Sequence, residues 1–168
     1  AGNVIGGGDW SEDRLIPDAV RAVTSGTTLT IRSPSSVRPW QHVLEPLSGY
    51  LQVGERLLKK DPSSAMAWNF GPSETDDVSV GQVIEAFAKS WPELKYQIQI
   101  DPNAPHETKF LKVLSNQAKE KLNWQPAWGW RRAVEETASW YRNHRDRLVV
   151  TDDQLATYER DAGLANPY

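Results

Sequence analysis

Apolar residues recur along this chain in two rhythms, every three to four positions in some stretches and every second position in others. Ile16, Ala19, Val20 and Val23 follow Arg14-Leu15 at helical spacing, which predicts a short amphipathic helix ended by Gly26. Thr28-Leu29-Thr30-Ile31-Arg32 alternates and is rich in β-branched residues, the pattern of a strand, and Ser33-Pro34-Ser35-Ser36 is the loop that delivers Arg38. Trp40, Val43 and Leu44 read as a short buried strand. Pro46 suits the first turn of the helix that follows, along which Leu47, Tyr50, Leu51, Gly54, Leu57 and Leu58 recur.

Further on, Trp68-Asn69-Phe70 reads as a short strand stopped by Gly71-Pro72. Ser79 and Gln82 form a capping-box signature in front of Val80, Val83, Ile84, Phe87, Ala88 and Trp91, which share one helical face. Tyr96 to Ile100 alternates like an edge strand, and residues 101–105 form a turn that presents His106-Glu107. Ser115 is placed to cap a short helix containing Ala118 and Leu122. Trp130, Ala133, Val134, Thr137 and Tyr141 mark a longer helix, and Thr151 with Gln154 is a second capping box before Leu155, Tyr158 and Ala162. Short strands interspersed with amphipathic helices make the fold class α/β.

At 168 residues the chain has one domain's worth of material. The formal net charge is −3 and no Lys/Arg run exceeds Lys59-Lys60, so the basic footprint of a nucleic-acid binder is missing and no nucleic-acid partner is expected. The absence of cysteine excludes disulfides, thiol catalysis and cysteine-based zinc sites. No apolar stretch approaches the ~20 residues of a membrane span, so no membrane association and a cytoplasmic location are expected. Ala1-Gly2-Asn3-Val4-Ile5 looks like the end of a buried strand running into Gly6-Gly7-Gly8. Domains seldom start inside such an element, so residues 1–168 are expected to be part of a longer protein. Loss of the partner strands would then leave apolar surface that self-associates or loosens the N-terminus.

Three features offer chemistry. Gly6-Gly7-Gly8-Asp9 is able to cradle a phosphate on backbone N–H groups, although G-x-G-x-x-G fails because Ser11 stands where its last glycine belongs. Arg14, Arg32 and Arg38 all lie at element ends; brought together, they would suit a diphosphate and an attached base. His106-Glu107 suggests acid/base work or the binding of hydroxyl groups. A metal is not expected, since His42 and His144 belong to other elements and no H-E-x-x-H occurs.

The motifs Gly2-Asn3-Val4-Ile5-Gly6, Leu15-Ile16-Pro17, Arg38-Pro39-Trp40-Gln41-His42-Val43, Trp68-Asn69-Phe70-Gly71, Leu122-Asn123-Trp124-Gln125-Pro126 and Trp140-Tyr141 together resemble the C-terminal half of extended short-chain dehydrogenase/reductases acting on nucleotide sugars. Their order and spacing match over nearly the whole chain. Gly2 to Trp10, Arg38 to Leu51 and Pro105-His106-Glu107 resemble the CDP-sugar dehydratase branch in particular.

The resemblance implies the substrate-binding C-terminal part of a Rossmann-type fold, with NAD held by an N-terminal half absent from these residues. It implies an NAD-dependent lyase that oxidises C4 of CDP-glucose or a related nucleotide sugar, eliminates water across C5 and C6 and returns the hydride to C6. The full-length protein would be a homo-oligomer. By the same resemblance Asn3 would lie near the sugar and diphosphate, Arg14 and Leu15 would line the nucleotide, and Thr30 and Arg32 would flank the base. Arg38 would clamp the diphosphate, while Asn69 and His106 would complete the pocket.

The chain departs from the family in two places. Many relatives carry an arginine three residues before the histidine, where Asn103 stands. The catalytic Tyr-x-x-x-Lys is missing, because Gly54, Ile100, Arg145 and Ala162 stand four residues after Tyr50, Tyr96, Tyr141 and Tyr158. No catalytic residue is therefore expected within the chain. An epimerase or reductase on the same scaffold, and a stand-alone binding module, are the competing expectations.

Overall fold

The computed structural model describes residues 1–73, 77–100 and 108–164. The described strands are β1 (Asn3–Ile5), β2 (Thr28–Ile31), β3 (Val37–Arg38), β4 (Trp40–His42), β5 (Val78–Ser79) and β6 (Lys95–Ile98). The helices are α1 (Leu15–Ser25), α2 (Leu44–Leu58), α3 (Val80–Ser90), α4 (Asn116–Leu122), α5 (Trp130–Arg145) and α6 (Thr151–Asp161). The architecture is α/β, as the two rhythms predict.

The strands pair two by two. β1 runs parallel to β4 with Asn3 opposite Trp40, β2 runs parallel to β6 with Thr28 opposite Lys95, and β3 lies antiparallel to β5. Parallel neighbours need a crossover: α1 lies in the one from β1 to β4, and α2 and α3 lie in the one from β2 to β6. The main core lies where α1, α3 and α5 meet these ribbons; Ile16, Val20, Ile84, Phe87, Val134 and Tyr141 belong to it. Phe70, Ala118, Leu122 and Trp124 form a smaller cluster beneath α2 and α4, with Phe70 and Trp124 edge to face at 5.0 Å.

Several boundaries differ from the expected ones. Leu44 does not extend β4 but opens α2. The last ladder bond is Val43 N–H to the Ile5 carbonyl at 2.8 Å, and the next turn is helical, with Leu47 N–H reaching the Val43 carbonyl at 3.3 Å. Pro46 lacks an N–H and is tolerated only in that first turn, which fixes the helix start ahead of it. Residues 68–70 form no strand. The Phe70 carbonyl accepts from Gln41 Nε2 at 2.9 Å and Gly71 N–H donates to Ser115 Oγ at 2.7 Å, so side chains satisfy this backbone where a ladder would have done so.

Ser79 caps α3 as expected: its Oγ accepts from Gln82 N–H at 3.2 Å, and Gln82 Oε1 accepts from Ser79 N–H at 2.9 Å. Ser115 and Thr151 make no cap bond. The Ser115 hydroxyl is occupied by Gly71, and Thr151 Oγ1 accepts from Trp140 Nε1 at 2.9 Å. In both cases a tertiary partner takes the oxygen that a cap would use.

The turn from β4 into α2 is anchored by two buried polar residues. Glu45, wholly buried, accepts from Trp128 N–H at 2.7 Å, Ala127 N–H at 3.0 Å and the Tyr158 hydroxyl at 2.9 Å. Burial pushes its carboxyl up, against the pull of those hydrogen bonds. His42 is wholly buried with its ring edge-on to Trp128 at 5.0 Å, and burial pushes its imidazole down to about 4. These contacts tie α2 to the loop before α5 and to α6.

Candidate functional site

Arg14, Arg32 and Arg38 come from three separate elements, yet all three line one cleft of about 630 Å³. Such a volume lies within the range of small-molecule sites. β1 and β4 form one side with Asn3 and Trp40, the start of α1 contributes Arg14 and Leu15, and β2 contributes Thr30 and, just past its end, Arg32. Thr30 and Arg32 are two residues apart, and both line the cleft.

Each arginine is held differently. Arg38 Nη1 donates to the Val37 carbonyl at 2.9 Å and the Thr108 carbonyl at 2.7 Å, which orients its guanidinium at the joint between β3 and the segment beginning at residue 108. Arg14 is exposed and faces Asp9 Oδ2 at 3.4 Å. Arg32 is exposed, and among the described residues no hydrogen bond or ion pair engages its guanidinium. A pre-oriented fork beside two exposed cations is an arrangement that captures a multiply charged anion.

The loop from Gly6 to Asp13 forms a stiff wall. The Tyr141 hydroxyl donates to the Asp9 carbonyl at 2.5 Å, and Arg21 donates to the carbonyls of Trp10 and Ser11 at 3.1 and 3.0 Å. Arg21 also pairs with Asp18. Burial draws the Asp9 carboxyl upward, but hydrogen bonds from Ser11 and the Arg14 charge outweigh it and hold the group below the usual carboxylate range. Asp9, Asp13 and Asp18 line the same cleft. Among them, Asp9 and Asp18 are already paired with arginines. Asp9 belongs to the glycine run that the sequence singles out, whereas nothing in the spacing of Asp13 and Asp18 distinguishes them from surface aspartates.

The glycine run serves packing. A Cβ on Gly7 would lie 1.9 Å from Trp140 Cδ2, and one on Gly6 would lie 2.7 Å from Val43 Cγ1. Gly8 adopts φ +84°, which turns the chain toward Asp9. These glycines let α5 and α2 approach, and Gly6 also lines the cleft.

Of the predicted site residues, Asn3, Arg14, Leu15, Thr30, Arg32 and Arg38 line the cleft. Asn69 does not: it is exposed on the irregular segment between Trp68 and Phe70. His106, with Glu107 and Asn103, lies outside the described residues. Trp40 is a cleft residue that the sequence reading assigned only to a buried strand; its Nε1 donates to the Val78 carbonyl at 3.2 Å, linking β4 to β5. Among the described residues no group of acids and histidines is suited to a metal ion, and no helix is long and apolar enough to cross a membrane.

No family model matches the chain. It is 38% identical over 161 residues to CDP-glucose 4,6-dehydratase of Salmonella typhimurium, a match that covers 94% of this chain and 45% of that protein. The chain thus spans less than half the length of this curated relative and corresponds to its C-terminal part. Among solved structures it is similar to dTDP-glucose 4,6-dehydratase of Bacillus anthracis in complex with NAD, with TM-score 0.63, 18% identity and coverage of 88% of this chain and 44% of that one. It is also similar to UDP-glucose 4-epimerase of Stenotrophomonas maltophila with bound NAD and formylated UDP-arabinopyranose, with TM-score 0.70, 16% identity and coverage of 87% and 47%. The likeness to these two structures is one of fold.

Proposed function

Since the chain is homologous to the C-terminal part of a CDP-glucose 4,6-dehydratase, we propose that it is the nucleotide-sugar-binding part of an NAD-dependent lyase converting CDP-glucose to CDP-4-keto-6-deoxyglucose and water. The observation that carries this reading is the convergence of Arg14, Arg32 and Arg38 on one cleft with Asn3 and Thr30. Arg38, oriented by two carbonyls, takes the diphosphate together with Arg14, which exchanges Asp9 for the incoming anion. Thr30 and Arg32 lie beside the base, and Asn3 offers its amide to the sugar. NAD would supply the hydride acceptor and donor. Its site would lie in sequence outside these 168 residues, a reading supported by the failure of G-x-G-x-x-G at Ser11.

The chain by itself therefore binds ligand and catalyses nothing. Calorimetry with CDP, CDP-glucose and glucose 1-phosphate tests the binding, which should be tightest for the two cytidine ligands. Arg38→Lys keeps the charge and loses the planar fork, so it should weaken CDP at least about tenfold. Dehydration of CDP-glucose by the purified chain with added NAD would overturn the division of labour, and equal affinity for CDP in wild type and Arg38→Lys would remove Arg38 from the site.

A further inference from the structure

Thr30 stands opposite Gln97 in the parallel β2–β6 ribbon, and Gln97 Nε2 donates to Thr30 Oγ1 at 3.2 Å. The register is fixed beyond the pair by Gln99 N–H, which reaches the Ile31 carbonyl at 3.0 Å. β6 is exposed along its whole length, and Thr30 lines the cleft. We propose that Gln97 is a positioning residue that sets the hydrogen-bonding polarity of Thr30 and thereby decides which pyrimidine the cleft accepts. The inference rests on the nucleotide reading of the cleft and adds the device that selects the base.

A threonine hydroxyl has one proton to donate and two lone pairs. With one lone pair receiving the Gln97 N–H, the proton of Thr30 is directed away from Gln97, and the hydroxyl meets a ligand as a donor. Cytosine carries a bare ring nitrogen at N3 and a carbonyl at O2, both acceptors. Uracil and thymine carry N3–H, a donor. A donor hydroxyl pairs with the Watson–Crick edge of cytosine at N3, whereas the N3–H of the other two finds only the one lone pair that Gln97 leaves open. Arg32, two residues on and lining the same cleft, supplies further donors toward the carbonyl.

The chemistry reverses in Gln97→Glu. A carboxylate has no proton to give, so Thr30 donates to it and turns its lone pairs to the ligand. The ratio of CDP to UDP affinity, measured by calorimetry on the 168-residue chain, should then shift at least about fivefold toward UDP. Gln97→Leu leaves Thr30 free to rotate and should shrink the wild-type preference without reversing it. In a Thr30→Val background Gln97→Glu should leave the ratio unchanged, which separates an effect through the hydroxyl from a general effect of added negative charge.

Position 97 is exposed on an outer strand, and circular dichroism with a melting curve checks that each variant folds. A wild-type preference for UDP, or a ratio unmoved by Gln97→Glu in a folded protein, overturns the role of Gln97 and leaves the cleft's nucleotide reading standing. Failure of the wild-type chain to bind either diphosphate, with Arg38→Lys equally silent, overturns both.

Discussion

α2 and α3 present similar sequence patterns and opposite burial. α3 turns Val83, Ile84 and Phe87 into the main core, where they are essentially inaccessible. α2 turns its apolar stripe outward: Tyr50 is 50% exposed, Leu51 76% and Leu58 86%. The face that α2 buries carries Glu45, Pro46 and Gly49, and a Cβ on Gly49 would lie 2.2 Å from the Phe70 ring. Helical periodicity states that a segment has an apolar face. It does not state that the face is covered, nor that the covered face is the apolar one.

The comparison predicts unequal costs. Phe87→Ala should destabilise the chain by ~3–5 kcal/mol through cavity formation, whereas Leu51→Ala should stay within about 0.5 kcal/mol. Chemical denaturation of the two variants reads the difference, and similar midpoints would mean that α2 is covered in solution by something that hides Leu51.

The polar anchor of α2 is the next target, through pH. His42 titrates near 4 in the folded chain against 6.5 for a free imidazole, because burial disfavours the charged ring. Between those values the unfolded chain binds more protons than the folded one. The His42 contribution is therefore complete above about pH 6.5 and is lost as pH falls toward 4, by up to ~3 kcal/mol. Glu45, with its carboxyl raised by burial, acts in the opposite sense, so the histidine part is read from the difference between wild type and His42→Gln. Equal pH slopes in the two proteins would show that His42 is hydrated in solution.

Glu45→Gln tests the same anchor at constant pH. The amide keeps one acceptor oxygen but turns N–H donors toward Trp128 N–H, Ala127 N–H or the Tyr158 hydroxyl, at an expected cost of ~1–3 kcal/mol. An unchanged melting temperature would mean that the carboxyl already carries a proton. A smaller cost than that of Phe87→Ala or the loss of the polar anchor should come from Ser79→Ala. Loss of the α3 cap bond is expected to cost ~1 kcal/mol, while Thr151→Ala, which removes no cap, should cost less.

The sequence by itself determined the local elements that depend on nearest neighbours. The run Thr28–Ile31, the Ser79–Gln82 box, the Gly26 stop at φ +69° and the Tyr141 stripe are written in spacings of two to four residues, and these stretches fold as the spacings predict. The motifs that resemble nucleotide-sugar enzymes were legible for the same reason, being short and ordered. Tertiary structure decided everything that required a distant partner. Trp140 explains Gly7 from more than a hundred residues away, Gly71 takes the Ser115 hydroxyl from its cap, and Glu45 is buried because Trp128 and Tyr158 arrive with donors. The cleft itself belongs to this second class. Arg14 stands just before α1, Arg32 just after β2 and Arg38 in β3, and only the parallel pairing of β1 with β4, together with the packing of α1, sets them around one space. Spacing along a chain encodes which way a side chain points within its element; which elements meet is set by burial and hydrogen-bond satisfaction over the whole chain.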